Sequence, residues 1–469
     1  MNHQVSIYLQ LRRFRRRLKS KQKLIEKRKR GLVENNAFRE LREIGKNVTS
    51  FSEALDAFMP NHLLYLLYNE RSPLHYEKLK RETYKDKCII DIPEQFSILT
   101  NPQESYSVLQ RLVSQILYQS CKELWINYSN CKYCDLATQI FLDSILKDNH
   151  KFIKACGSAK VGRFITIGSV GGYGINDSRL SLMINSVGSP VILVGRNVHY
   201  NNIIPYKLRH YDGNNLTPQK QKGLKEIDST DLIQYVIDSL SRFKRTLSQS
   251  ARQDLGNVVG ETISNAEEHS SLHNRYLIGY FEESNDKKGH YGLLNLVIMN
   301  SGSTIYEKFK NPEKGKPFNT KCRDEMQQLS DLFVKKGIFK RNEFTEENLW
   351  TLYSLQGGVS CIPPEIRKRG NGTIQFIESF FKLKGNNNVD SISHLTLVSG
   401  NTQIDFDGTY KINKRKNANG EIDNIMSFNE SGSLTEKPDS RYVHHIEHYF
   451  PGTIIYAQLL INEDDLQNG

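Results

Sequence analysis

The chain has 469 residues, enough for two to three domains, and 38% of them are hydrophobic and 25% charged. This composition excludes a fibrous chain and wholesale disorder, and the sequence shows neither a run of eighteen apolar residues nor a signal-peptide pattern. We therefore expect a globular, cytoplasmic protein without a transmembrane segment.

Positive charge is concentrated near the N-terminus. Twelve of the 64 Lys and Arg residues lie between Arg12 and Arg30 with a single acid, Glu26, so this segment carries +11 of the chain's net +12. Apolar residues at loosely helical spacing predict a basic helical arm over 1–31. The pattern leaves three roles open: binding to nucleic acid, attraction to an anionic membrane, and a solvated helix without a partner.

A mixed helical region is predicted over 32–86, and strands alternating with helices then predict a small α/β domain over 87–210. The expected strands are 88–92, 122–128, 164–167 and 191–194, and the expected helices are 105–120 and 135–154. The segment from Leu124 to the helix opened by Asp135 resembles the strand–turn–helix of STAS-type regulatory domains. A polar, turn-rich stretch over 211–227 predicts a linker.

Cysteine spacing does not indicate a metal site. The seven cysteines are scattered, and the single C-x-x-C, Cys131 and Cys134, has no second pair of ligands nearby. We expect reduced thiols.

Two long helices are predicted next, over 228–243 and 247–270. Glu261 and Asn265 are four residues apart in the second helix, so they share one of its faces. A carboxylate can orient a water for attack on a phosphate, and an amide oxygen is a hard ligand suited to Mg²⁺.

Three turns rich in small residues follow. A strand over 293–299 runs into Asn300, Ser301 and Gly302, a second turn at 369–373 opens a helix, and Gly452 and Thr453 lead into an apolar strand at 454–461. Glycines at such ends let a ligand approach the backbone, and free N–H groups at a helix start can bind phosphate.

In this order and spacing, the segments from 228 to 465 resemble the ATP-binding domain of the GHKL superfamily. That superfamily includes gyrase-type topoisomerases, mismatch-repair ATPases, histidine kinases and anti-sigma-factor kinases. The stretch 261–270 is the most specific part and resembles the N box of the family. The expected fold is therefore α/β, with an N-terminal basic helix, a small STAS-like domain and a C-terminal GHKL-type α/β sandwich, and the resemblance suggests a bacterial source.

The resemblance also implies a site for ATP and Mg²⁺. Asn265 would ligate the Mg²⁺ that bridges the phosphates, Glu261 would be the general base, and residues 305–369 would form a mobile lid. The remaining implied nucleotide-binding residues are Asn300, Gly302, Gly370, Asn371, Gly372, Thr373 and Thr453. The family normally has Asp at the position of Asn300, and an Asn there can still accept a hydrogen bond from adenine but without charge assistance.

The function implied by the resemblance is that of an ATP-binding regulatory or defence protein. Mg-ATP would close the lid and switch the interaction with a partner protein, and hydrolysis would be slow. One alternative is a protein Ser or His kinase of the anti-sigma-factor type, although the helix at 228–243 contains no His. Another is a nucleic-acid-binding protein that uses Arg12–Arg30 and carries a degenerate nucleotide domain.

Overall fold

The structure is a computed structural model with a mixed α/β fold, as predicted. It contains both parallel and antiparallel sheets. It describes residues 38–191, 200–213, 216–249, 271–286, 289–334, 343–363, 372–383, 389–416 and 422–462, together with residues 252, 253, 255, 256, 259, 260, 262, 263 and 266. The predicted arm over 1–31 lies outside the described residues.

The chain divides into two compact units, Met1–Pro60 with Asp148–Gly168, and Asn61–Lys147 with Ser169–Gly469. In the first unit, residues 38–45 are helical and are followed by helix α1, Phe51–Phe58. A Cβ on Gly45 would lie 2.4 Å from the carbonyl oxygen of Ala159, so only glycine allows this close approach. The rings of Phe51 and Phe152 pack edge to face with centroids 6.2 Å apart.

The second unit begins with an α/β region built on a three-stranded parallel sheet in the order β1-β3-β5. Parallel strands need crossover connections, and two helices provide them. The elements are α2 (Asn61–Tyr68), β1 (Lys85–Asp91), β2 (Gln95–Phe96), α3 (Pro102–Tyr118), β3 (Cys121–Asn127), β4 (Tyr133–Cys134), α4 (Leu136–Ser158), β5 (Ser169–Tyr173) and α5 (Ser178–Val187). The part of α4 from Asp148 onward belongs to the first unit. The short strands β2 and β4 pair with each other.

The prediction of a strand at 164–167 is wrong. A 3-10 turn occupies Gly162–Phe164, and the strand that pairs with β3 is β5. Strand β5 contains Gly171 and Gly172, which strand propensity disfavours, but a Cβ on Gly172 would lie 2.1 Å from a side-chain methyl of Val191. Close packing against Val191 therefore requires glycine in β5, whereas the sequence pattern favoured the apolar residues 164–167 as the strand. Most of the strand predicted at 191–194 lies outside the described residues.

A five-stranded antiparallel sheet in the order β6-β7-β8-β12-β9 dominates the rest of the second unit. Its strands are β6 (Ile203–Asp212), β7 (Asn274–Asp286), β8 (Gly289–Ser301), β9 (His394–Phe406) and β12 (Val443–Asn462), while β10 (Asn413–Lys416) and β11 (Ile422–Ile425) form a separate hairpin. The sequence pattern predicts two strands here, at 395–398 and 403–406, but both belong to the single strand β9.

The linker predicted at 211–227 is instead the end of β6 and the start of helix α6, Pro218–Ser241. Pro218 fits the first turn of a helix, where its missing N–H costs nothing, and the following polar residues face solvent. Strand β6 was not predicted; most of its residues fall within the α/β domain expected over 87–210, but the strand pairs with β7.

Helices pack on the five-stranded sheet. The described residues between 252 and 266 are helical and share a core with α6 and with helix α10, Gly372–Lys382. This core contains Leu232, Val236, Leu255, Val259, Ile263, Leu277, Leu296, Phe376 and Phe380. Burial of these apolar surfaces is the main stabilising contribution in this part of the chain.

Residues 305–363, most of the predicted lid, contain helices α7 (Ile305–Lys310), α8 (Thr320–Asp331) and α9 (Glu346–Ser354). Trp350 in α9 is 1% exposed and belongs to the same core as the sheet. The described part of this segment therefore contributes to the folded core. Among the described helices, none is long and apolar enough to cross a membrane.

Candidate functional site

The side chain of Asn300 joins three segments that are far apart in the sequence: the end of β8, the Gly452–Thr453 part of β12, and the described helical residues up to Ala266. Asn300 lies at the end of β8, directly opposite Thr453 in β12. Its Oδ1 accepts a hydrogen bond from the backbone N–H of Thr453 at 2.9 Å, and its Nδ2 donates to the carbonyl oxygen of Ala266 at 2.8 Å. Asn300 is 3% exposed, so these bonds lie in a largely water-free environment.

The two contacts explain locally why an amide stands at this position. Thr453 offers a donor and Ala266 offers an acceptor, and only a side chain with both a carbonyl and an NH₂ group satisfies the two at once. A carboxylate would place a negative oxygen against the Ala266 carbonyl. The position of the Ala266 carbonyl therefore favours Asn over Asp at residue 300.

Two glycines let the backbones converge around Asn300. Gly302 has φ +124°, and a Cβ there would lie 2.6 Å from Oγ of Ser271. Gly452 has φ +150°, and its Cβ would lie 2.2 Å from the carbonyl oxygen of Asn300. The N–H of Gly302 donates to the carbonyl of Pro451 at 3.1 Å, which holds the turn after β8 against β12. A side chain at Gly452 would clash with the backbone of β8, and one at Gly302 would clash with Ser271, just before β7.

Ser399 of β9 completes this end of the sheet, and it was not predicted as a site residue. Its hydroxyl accepts from the N–H of Ile305 at 3.0 Å, donates to the carbonyl of Gly452 at 3.1 Å, and lies 3.0 Å from Oγ1 of Thr453. Ser399 is fully buried. The only signal in the sequence is a hydroxyl residue at the end of the apolar run 395–398, directly before Gly400.

Helix α7 begins immediately after this turn with a capping box. The hydroxyl of Thr304 accepts from the N–H of Glu307 at 3.1 Å, and the carboxylate of Glu307 accepts from the N–H of Thr304 at 3.0 Å. The turn at 300–304 is therefore held at two places. The start of α7 holds its C-terminal side, and the hydrogen bond from Gly302 to Pro451 holds it against β12.

Arg71, from the loop after α2, reaches the same helix start. Its guanidinium contacts Glu307 at 3.2 Å and Glu347 at 2.6 Å, and it stacks over the Tyr449 ring at 4.2 Å. Partial burial lowers the pKa of Arg71, but the hydrogen bond and charge of Glu347, together with the charges of Tyr449 and Glu307, leave that pKa raised. Nothing local in the sequence marks this cluster, because Arg71 and Glu307 are 236 residues apart.

The loop that carries Arg71 is itself held in place. The ammonium group of Lys78 donates to the carbonyl oxygens of Glu70 at 3.0 Å and of Ser72 at 2.8 Å. The side chain of Asn69 accepts from the N–H of Arg71 at 3.0 Å. These bonds hold the backbone on both sides of Arg71. The loop therefore orients the Arg71 side chain toward the carboxylates of Glu307 and Glu347.

The structure brings three of the predicted site residues together: Asn300, Gly302 and Thr453. Gly372 begins α10, and Thr373 in its first turn is half-buried. The four remaining predicted residues, Glu261, Asn265, Gly370 and Asn371, lie outside the described residues.

The side chains that the structure places at this end of the sheet, Asn300, Ser399 and Thr453, are neutral donors and acceptors. Asn300 and Ser399 are buried and hydrogen-bonded within the fold, and only Thr453 is partly exposed. Neutral groups of this kind are weaker ligands for a divalent cation than carboxylates. Within the described ranges, no group of three or more His, Cys, Asp or Glu residues could hold a metal ion. Asn265, the Mg²⁺ ligand that the resemblance implies, lies outside the described residues.

Comparison of the chain with protein-family models, with curated proteins and with solved structures finds no match. What this chain does must therefore follow from the contacts around Asn300 and from the order of its motifs.

Proposed function

We propose that residues 228–465, together with β6 and the start of α6, which belong to the same sheet and core, form a GHKL-type ATP-binding domain. We propose that the preceding α/β region is a STAS-like regulatory domain. The chain is then an ATP-dependent regulatory or defence protein of the bacterial cytoplasm. The observation that carries this proposal is the side chain of Asn300. It joins β8, the Gly452–Thr453 strand and Ala266, which directly follows Asn265 in the N-box-like stretch.

The arrangement of helices and strands supports the same proposal. An antiparallel sheet with α6, the helical residues between 252 and 266, and α10 in one shared core is an α/β sandwich of two layers. Helix α10 begins at Gly372, at the end of a glycine-rich stretch of the sequence. The free N–H groups at the start of a helix can bind phosphate.

In this proposal each residue has a defined task. Asn265 holds the Mg²⁺, which neutralises phosphate charge when it is bound. Glu261 orients the attacking water and accepts its proton. Asn300 is already engaged with Thr453 and Ala266, so it offers adenine only the remaining lone pair of a neutral oxygen. We therefore expect weaker adenine binding than a carboxylate would give.

Arg71 connects helix α7, beside the proposed nucleotide site, to the loop after α2. The capping-box residue Glu307 both orders the turn after Asn300 and binds Arg71. A nucleotide-dependent shift of α7 would change the Arg71 contacts and so reach the α/β region, where a partner protein would detect it. Slow hydrolysis through Glu261 would reset the switch.

The deciding experiment measures ATP turnover and phosphate transfer by the full-length chain and by Glu261→Gln, with and without DNA or RNA. The exposed Glu430→Gln is the matched control. Turnover that Glu261→Gln abolishes and Glu430→Gln preserves supports the ATPase. Phosphate transferred to a protein Ser or His, without release, favours the kinase. Absence of nucleotide binding together with binding to nucleic acid favours a degenerate nucleotide domain.

A further inference from the structure

A two-stranded antiparallel hairpin outside the main sheets carries a cluster of cations. It consists of β10 and β11, with Lys414 opposite Asn424 and Arg415 opposite Asp423. Every residue of β10 is exposed, and so is Lys411 just before it. We call Lys411, Lys414, Arg415 and Lys416 on this hairpin the basic ribbon.

The cations of the basic ribbon are not used within the fold. In the part of the chain that the structure describes, none of the four makes an ion pair or a side-chain hydrogen bond. Cations of adjoining segments do: Arg441 pairs with Asp439 at 2.6 Å, and Lys437 pairs with Glu343. In the described part of the ribbon, four cations beside one carboxylate, that of Asp423 opposite Arg415, leave a local positive potential that attracts an anionic partner.

The base of the ribbon is rigid. Gln356 accepts a hydrogen bond from the N–H of Met426 at 2.8 Å and donates to its carbonyl at 3.1 Å, and the N–H of Gly357 donates to the carbonyl of Asn424 at 2.8 Å. On the other side, the Tyr410 ring packs against Tyr442 at 5.2 Å. The exposed cations therefore stand on a fixed support, which lowers the entropy cost of binding.

We propose that the basic ribbon binds the phosphate backbone of nucleic acid. Cations on a strand recur about every 3.3 Å and alternate between its two faces, which suits a polymer with regularly spaced phosphates. A two-stranded ribbon also fits the major groove of B-form DNA. Among the described residues of the ribbon, no large apolar side chain is exposed, so it lacks the groups that insert into a membrane. This proposal does not depend on nucleotide binding.

The test compares two full-length variants with the same change in charge. One is Lys414→Gln/Arg415→Gln/Lys416→Gln, and the control is Lys80→Gln/Arg81→Gln/Lys85→Gln, three exposed cations before and at the start of β1. Binding to a fluorescein-labelled duplex of about 30 base pairs is measured between about 50 and 200 mM NaCl, where phosphate contacts make affinity steeply salt-dependent. Circular dichroism confirms that both variants are folded.

We expect the ribbon variant to bind about tenfold more weakly near 0.1 M salt, with a slope of log K against log salt reduced by about 2 to 3, because each phosphate contact contributes about 0.9. The control should change affinity less than about twofold. Equal affinities and slopes for the two variants would overturn the proposal. So would a wild-type chain that does not bind the duplex, or a ribbon variant that loses binding only to vesicles containing phosphatidylserine.

Discussion

Asn300→Asp replaces one NH₂ group by an oxygen at a position where the amide contacts a carbonyl. The bond from the Thr453 N–H is kept, but the 2.8 Å donor contact to the Ala266 carbonyl becomes a contact between two oxygens. The lost hydrogen bond costs about 1 kcal/mol, and confining a carboxylate beside a buried carbonyl adds about 1.4 kcal/mol for each unit by which its pKa rises. We expect the free energy of unfolding to fall by about 2 to 4 kcal/mol.

Urea unfolding at neutral pH measures this change, with tryptophan fluorescence as the probe. The chain has two tryptophans, so a Trp125→Phe background leaves buried Trp350, in the core that contains the sheet, as the only reporter. Asn130→Asp, on an exposed turn, is the control and should change stability by less than about 0.5 kcal/mol. If Asn300→Asp unfolds at the same urea concentration as the wild type, the bond to Ala266 does not explain the amide at this position.

Three further outcomes follow from individual contacts. Gly452→Ala should destabilise the fold by about 3 kcal/mol, because its Cβ would meet the Asn300 carbonyl at 2.2 Å; an unchanged melting temperature would contradict this. A double-mutant cycle of Arg71→Ala with Glu347→Gln should give a coupling of about 1 kcal/mol, modest because the guanidinium is half-exposed; a coupling near zero would show that this ion pair does not stabilise the fold. Burial raises the pKa of Asp143 to about 7. The unfolded chain ionises at lower pH, so the free energy of unfolding should fall by about 4 kcal/mol as pH rises from about 4 to 7, and stay level above that. Asp143→Asn should flatten this profile in a urea series across pH; the same slope in the variant would contradict it.

Several strands of the five-stranded sheet could be predicted because they contain long apolar runs. Strand β8 was predicted over 293–299 and runs over Gly289–Ser301, and the second half of β12 was predicted over 454–461 and ends at Asn462. The small-residue turns beside these predicted strands are the pattern that singled out Asn300 and Thr453. Their pairing across neighbouring strands was not predictable, since register depends on contacts between residues 153 positions apart. Ser399 was missed because one hydroxyl in a strand has no distinguishing pattern.

Other parts of the fold depend on packing that no local pattern reports. Strand β5 is formed by a glycine-rich segment because Val191 approaches its backbone closely. Helix α6 begins inside a stretch whose polar residues indicate a linker, because a solvent-facing helix start is polar as well. The contact of Arg71 with Glu307 and Glu347 joins distant segments, and each residue alone is an ordinary surface charge.

Calorimetric titration of Mg-ATP into the wild-type chain and into Asn265→Ala tests the proposed nucleotide site most directly. We predict saturable binding by the wild type and loss of that binding in the variant, because the cation that bridges the phosphates loses its amide ligand. Asn130→Ala, in the exposed turn after β3, should bind as the wild type does. Equal affinity of the wild type and Asn265→Ala for Mg-ATP, or no binding by either, would contradict the assignment of residues 228–465 as a GHKL-type ATP-binding domain.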